Sequence, residues 1–321
     1  MSESWTYGAD SVAETVEFND RLAALQSSLP ALETVPPEET RAARLEEGGI
    51  FPPPVFLPQA RWLEIPSRGG GVRVRVVAPT RREATGAYLH FHGGGWTIGA
   101  ADGQDPLLEA IAEMTGLCAV SVEYRLAPED PYPAGPDDCE DAALWLLDGG
   151  AAELGVPQRF AIGGESAGGH LSAVTLLRLR DRHGITDAFA AANLVFGAFD
   201  LTGTPSRLRW DDSRPLVLTN SGMTWFTECF LPGLDDPGRR DPDISPLYAD
   251  LHGMPPALFT IGTADPLLDD SLFMAARWRA AGNETDLRVY EEGCHAFTAF
   301  PLEVAQLANQ AQLAFLRDAI G

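Results

Sequence analysis

The sequence predicts an α/β protein: a mostly parallel, eight-stranded sheet flanked by helices. Two observations point there. From about residue 60 to the C-terminus, short apolar runs alternate with segments of helical periodicity, the pattern of strands joined by crossover helices. In addition, 45% of the 321 residues are hydrophobic and 21% charged, close to an ordinary globular chain and enough to bury a large core.

Before residue 60 the chain is polar and helix-like. Ser11 to Leu29 and Glu38 to Glu47 carry helical spacing, and the Pro52, Pro53, Pro54 block cannot continue a helix. Strands are expected at Trp62 to Ile65, Val72 to Ala78, Ala87 to His92, Leu117 to Val122, Arg159 to Gly163, Ala191 to Phe196, Ala257 to Ile261 and Asp286 to Tyr290. The first two are close enough to pair antiparallel, and the Gly69, Gly70, Gly71 run reads as a turn; the rest leave room for crossovers. Helical periodicity falls at Asp105 to Thr115, Asp137 to Leu147, Ala167 to His183, Asp269 to Ala281 and Leu302 to Ala319. Residues 201–250 interrupt the alternation, punctuated by Pro205, Pro215, Pro232 and Pro237, and an ordered loop of that length is usually functional. Four segments result: 1–59, a first core part 60–200, the 201–250 insertion and a second core part 251–321.

The 46 acidic residues against 23 basic ones give a formal net charge of −23, which repels phosphate backbones and anionic lipid. Nucleic acid and membrane surfaces are therefore excluded as expected partners. All 23 cations are arginine, so a Schiff base, a Ser-Lys dyad and a P-loop lysine are out of reach. Compositional bias and salt adaptation both explain the missing lysine. Met1 to Asp10 holds Glu3 and Asp10 with no cation before Arg21, unlike a secretory signal. The longest uncharged stretch, Ala84 to Ala101, is broken by His90, His92 and glycines, unlike a membrane helix. Cys118, Cys139, Cys229 and Cys294 lack metal-ligand spacing and read as reduced thiols of a cytoplasmic protein without metal or cofactor.

Two motifs carry chemistry. Gly164, Glu165, Ser166, Ala167, Gly168 falls between an expected strand and an expected helix, the sharp turn that exposes a nucleophilic hydroxyl above a helix N-terminus. His92, Gly93, Gly94, Gly95, Trp96 follows another strand, and three glycines free a loop to aim N–H groups at one developing oxyanion. An alcohol nucleophile needs a base. Of the six histidines, only His295 follows a late strand in a loop; His90, His92, His170, His183 and His252 sit where histidines are more often structural. Asp265, just past the Ala257 to Ile261 strand, is the candidate to orient that base, with Glu291 and Glu292 as alternatives. Asp269 and Asp270 read as first-turn residues that cap their own helix.

His92 to Trp96, the stretch Tyr124, Arg125, Leu126, Ala127, Pro128, Glu129, then Gly164 to Gly168, Asp265 to Asp269 and His295 together resemble the hormone-sensitive-lipase-like esterases, bacterial family IV of the α/β-hydrolase superfamily. The resemblance runs from about residue 60 to the C-terminus with the motifs in order. It implies the α/β-hydrolase fold, with Ser166 as nucleophile, Asp265 and His295 completing a triad, and the N–H groups of Gly93, Gly94 and Ala167 as oxyanion hole. It also implies that residues 1–59 join the 201–250 insertion as a helical cap. The chain departs from the family pattern at Glu165, where Asp or Thr is usual.

Trp96, Trp225, Phe226 and Phe230 are candidate substrate-binding side chains, the last three alternatively cap core; Arg125 and Glu129 are expected to pair, and Cys294 reads as a small buried filler. The expected activity is hydrolysis of short- to medium-chain acyl esters through an acyl-enzyme. An arylformamidase-like amide hydrolase and a non-catalytic small-ligand receptor on the same scaffold are the alternatives. The expected partner is a small-molecule ester, and a homodimer stays open.

Overall fold

A computed structural model describes residues 8–47 and 49–320; of the acidic opening Met1 to Asp10, residues 1–7 lie outside the described residues, as do 48 and 321. The strands are β1 (Arg61–Ile65), β2 (Val72–Val77), β3 (Gly86–Phe91), β4 (Leu117–Glu123), β5 (Phe160–Glu165), β6 (Phe189–Val195), β7 (Ala257–Ala264) and β8 (Thr285–Cys294). The helices are α1 (Ala9–Ser28), α2 (Pro37–Ala43), α3 (Asp105–Thr115), α4 (Ala134–Trp145), α5 (Ala151–Leu154), α6 (Ala167–His183), α7 (Pro205–Leu208), α8 (Asn220–Phe230), α9 (Asp236–Arg239), α10 (Leu268–Ala280) and α11 (Glu303–Ile320). Each expected strand is present, with ends that differ by a few residues.

The eight strands form one sheet in the order β1-β2-β4-β3-β5-β6-β7-β8. Pairing is parallel from β4 to β8 and antiparallel at β1–β2 and β2–β4. The second antiparallel joint goes beyond the one the spacing anticipates. The β2–β3 connection, 78–85, has no room for a crossover helix, so β3 runs opposite to β2 and β4 slots between them parallel to β3.

Alternation along the strands loads both faces. Leu89, Phe91, Val120, Val122 and Ile162 pack with α4, α6 and α10, whereas Tyr88, Ala119, Ala161 and Ala191 pack with α3 and α11. Helices and strands of this core bring the C-terminal ends of β3, β5, β7 and β8 to one rim.

Outside the core, α1 lies on β8 and α11, and Gln26 and Val217 exchange hydrogen bonds between the N-terminal segment and the 201–250 insertion. α2 stops at Ala43 rather than Glu47. The carboxylates Glu46 and Glu47 would sit at the negative end of its dipole, just before a glycine pair. Buried Arg178 on α6 ties the insertion down: its guanidinium meets Asp137 and Glu140 of α4 and Asp243.

Asp269 and Asp270 lie in the first turn of α10, but their side chains do not cap it. Asp270 is fully buried and accepts from the N–H groups of Phe199 and Asp200 (2.7 and 2.9 Å) and from the Thr204 hydroxyl (2.7 Å), and Asp269 accepts from Ser206 N–H. The loop leaving β6 offers donors that have no strand partner, and these outcompete the carboxylates' own helix end. The turn just before the helix is closed by Asp265, which accepts from Leu267 N–H at 2.8 Å.

Candidate active site

Ser166 sits between β5 and α6 with φ 57° and ψ −117°, a left-handed-side conformation that an L-residue holds only when its surroundings enforce it. Two close approaches enforce it. A Cβ on Gly164 or Gly168 would lie 2.1 or 1.8 Å from the Phe91 carbonyl oxygen, so both positions exclude any side chain. The Ser166 N–H donates to Val195 O at 2.9 Å, fixing the turn from the other side.

His295 Nε2 lies 2.9 Å from Ser166 Oγ, and its Nδ1 lies 2.8 Å from Asp265 Oδ2. Nδ1–H therefore donates to the carboxylate, which leaves Nε2 free to accept from the hydroxyl. Asp265 is fully buried, and its second oxygen is held by Leu267 N–H. A bulge in β8 aims the imidazole: β7 advances from Gly262 to Ala264 while β8 advances from Tyr290 to Cys294. The alternative acids fall in that bulge. Glu291 is exposed and Glu292 faces Arg214, so neither approaches the imidazole bond that Asp265 makes. Cys294 is buried, and burial pushes its thiol up to about 12, as a filler requires.

The glycine loop comes against the same serine. A Cβ on Gly93 would touch Ser166 Cβ at 3.4 Å, and Gly94 has φ 120°. Among the described residues, no turn or loop hydrogen bond takes the N–H of Gly93, Gly94 or Ala167 as donor. His92 braces the loop: burial drives its pKa down to about 3, and its neutral Nδ1–H donates to Gly93 O at 2.8 Å. Tyr124 stacks on that ring at 4.2 Å and donates its hydroxyl to His92 O.

The aromatic candidates divide. Trp96 is buried, stacks on Phe230 at 4.7 Å and donates its indole N–H to His170 Nδ1. His170, pushed down to about 4 by burial, donates Nε2–H to Ile244 O. Phe226 packs so closely over Gly95 that a Cβ there would enter its ring, while Trp225 is half-buried beside it. Trp96 and Phe230 thus form the packing behind the glycine loop.

The expected Arg125–Glu129 pair does not form. Arg125 forks onto Asp138 of α4 at 2.8 and 2.9 Å, and Glu129 takes both terminal nitrogens of Arg41. Four residues apart on a loop is not one face, as it would be on a helix. Arg41 itself escaped the sequence reading; an arginine in an acidic N-terminal helix carries no spacing signal, yet it also donates to Thr97 O and Ala127 O. The Glu165 departure is resolved by a second residue, His90, whose Nε2 lies 2.9 Å from Glu165 Oε2 and whose Nδ1 lies 2.8 Å from Ser121 Oγ.

A family model described as alpha/beta hydrolase fold matches residues 88–299, about two thirds of the chain. The chain belongs to the alpha/beta hydrolase fold family. Among relatives of this alpha/beta hydrolase, Carboxylesterase NlhH of Mycobacterium tuberculosis is 35% identical over 277 residues, covering 84% of this chain and 85% of its own. An arylesterase of Saccharolobus solfataricus is 31% identical over 231 residues, covering 71% and 73%. The hyperthermophilic esterase from the archaeon Pyrobaculum calidifontis superposes with a TM-score of 0.85 at 30% identity, covering 95% of this chain and 98% of that one. The resemblance to hormone-sensitive-lipase-like esterases read from the motifs holds, and this alpha/beta hydrolase is a carboxylic ester hydrolase. Among the described residues no helix is long and apolar enough to cross a membrane.

Proposed function

We propose that Ser166, His295 and Asp265 perform this ester hydrolysis in two steps. Ser166 Oγ attacks the ester carbonyl while His295 Nε2 takes its proton, and the carbonyl oxygen becomes an oxyanion beside the N–H groups of Gly93, Gly94 and Ala167. Collapse of this intermediate breaks the bond to the alcohol, which leaves with the proton from His295. A water then enters, gives one proton to His295 and attacks the acyl-enzyme; the acid departs and Ser166 recovers its proton. Asp265 holds the imidazole and balances its transient charge. The observation that carries this reading is the continuous line from Ser166 Oγ through His295 to Asp265, at 2.9 and 2.8 Å.

Residues 8–59 and 201–250 act together as the cap that shapes the acyl pocket, with Phe226 and Trp225 toward its wall. The reciprocal Gln26–Val217 bonds and the seat of Phe226 on Gly95 support this. Short- to medium-chain acyl esters in the cytoplasm are the proposed substrates. A fluorophosphonate probe tests the centre: it should label Ser166 stoichiometrically, and Ser166→Ala should lose both label and turnover while keeping the fold. Full activity in that variant would sink the assignment.

A further inference from the structure

Two arginines one turn apart on the N-terminal segment meet opposite fates. Arg41 is saturated: Nε donates to Thr97 O, Nη2 to Ala127 O, and Nη1 and Nη2 to Glu129. Arg44 caps the C-terminus of the same helix three residues on. Among the described residues its guanidinium has no carboxylate or carbonyl partner. It lies instead over the Phe51 ring, 5.0 Å from the centroid, and Phe51 stacks on Phe300 at 5.3 Å with planes 6° apart. Phe300 closes the short turn Phe297–Ala299 that follows His295. The Arg44 charge also contributes to the lowered pKa of His92, at the start of the glycine loop. Arg44 is thus linked on one side, through Phe51 and Phe300, to the turn after His295 and on the other, through its charge, to His92 at the start of the glycine loop.

Arg44 is an exposed residue with an aromatic ring beneath its guanidinium, and desolvation by the surrounding protein lowers its pKa. That combination is unusual in a chain with 46 carboxylates for 23 cations, where an acidic partner could readily have been supplied. A planar fork of donors left open beside an apolar wall matches a ligand carboxylate, which it can bind through two parallel hydrogen bonds. The net charge of −23 repels anions at long range, so a local cation is what an anionic substrate would need at this site.

We infer that Arg44 is a specificity-determining residue that binds a carboxylate carried by the substrate, and that the preferred substrates are monoesters bearing a free carboxylate. This rests on the Ser166-centred site proposed above. Guanidinium and carboxylate form no covalent bond, and the hydrolytic step is unchanged.

The test compares kcat/KM for two matched pairs of esters in wild type, Arg44→Gln and Arg44→Lys. In one pair, 4-nitrophenyl valerate and mono-4-nitrophenyl glutarate, the carboxylate is on the acyl side. In the other, phenyl acetate and 4-acetoxybenzoate, it is on the alcohol side. The anionic-to-neutral ratio should fall about tenfold in Arg44→Gln in at least one pair, chiefly through KM, and recover in large part in Arg44→Lys. If Arg44 only packs on Phe51, both esters of a pair shift together and the ratio stays fixed; that result in both pairs overturns the inference. Ser166→Ala run alongside separates the failures: turnover that survives it sinks the site, whereas Ser166-dependent turnover with an unmoved ratio sinks only Arg44.

Discussion

The rim of the sheet and the segments that cover it are held by different physics. On the rim, each functional group has several independent restraints: Ser166 is trapped by a backbone bond and two glycine contacts, and Asp265 by two partners on two oxygens. The covering segments combine apolar seats such as Leu22 and Phe226 with long-range polar contacts that are partly exposed, such as Arg41 on the glycine loop and Gln26 on Val217. Geometry set by redundant restraints tolerates no substitution but survives thermal motion. Geometry set by partly exposed polar contacts can drift and be retuned without loss of fold.

The sharpest way to break this contrast is at the rim. Asp265→Asn should lower kcat by about 10³ to 10⁴ with little change in KM, the size that a mis-set imidazole tautomer costs in the serine-protease triad. Steady-state kinetics on a short acyl ester checks it, and an unimpaired variant would remove Asp265 from the triad.

Next comes Arg178, where rim-like redundancy extends under the insertion. Arg178→Met removes the buried cation shared by Asp137, Glu140 and Asp243, leaving them the more exposed Arg68, Arg182 and His183, and should cost about 3 kcal/mol, measured by urea unfolding. A loss below ~1 kcal/mol would mean the cluster is effectively solvated.

Smaller again, Asp270→Asn keeps an oxygen for the Phe199 and Asp200 N–H groups but turns its NH2 toward the Thr204 hydroxyl, which must then reverse from donor to acceptor, an expected cost of about 1 kcal/mol. Its pH signature has a definite sign. Burial raises the folded pKa of Asp270 from 3.8 to about 7, so between those values the folded chain holds a proton that the unfolded chain has lost. Wild-type stability from this group is therefore full below about pH 4 and declines toward pH 7, and the slope should be missing in the Asn variant. Equal slopes in the two proteins would show that its three donors keep the carboxylate ionised.

The smallest effect belongs to the cover. Arg41→Ala should cost no more than ~1 kcal/mol of stability, since its ion pair is partly exposed, and should reduce kcat/KM only modestly by loosening the end of the glycine loop. A loss comparable to Asp265→Asn would erase the distinction between the two regions.

The same contrast explains what could be read from the chain alone. Ser166, His295 and Asp265 are legible because a strained turn, a base on a late loop and a buried acid each demand particular residues beside a strand end. The strand set was legible because two buried faces need continuous apolar runs. Arg41 and the Arg125–Asp138 fork were not, since long side chains choose partners by three-dimensional proximity that no spacing encodes. The Glu165–His90 pair lies between: the departure at Glu165 is visible in the chain, but its partner His90 is found only when β3 and β5 are set side by side in register. Asp269 and Asp270 misled because a first-turn acid has an obvious local use, and here a neighbouring loop had the stronger claim.

The position of β8 at one end of the strand order has a consequence for association. An edge strand is where a strand from another molecule would add, and His295 is carried directly after the last residue of this one. α1 lies along this strand, and the Asn19 amide occupies the Glu292 carbonyl at 2.8 Å, within the bulge that aims the imidazole. The N-terminal helix is in this sense an edge guard. Trimming it away would open a templating surface next to the base, and aggregation would then compete with turnover for the same few residues.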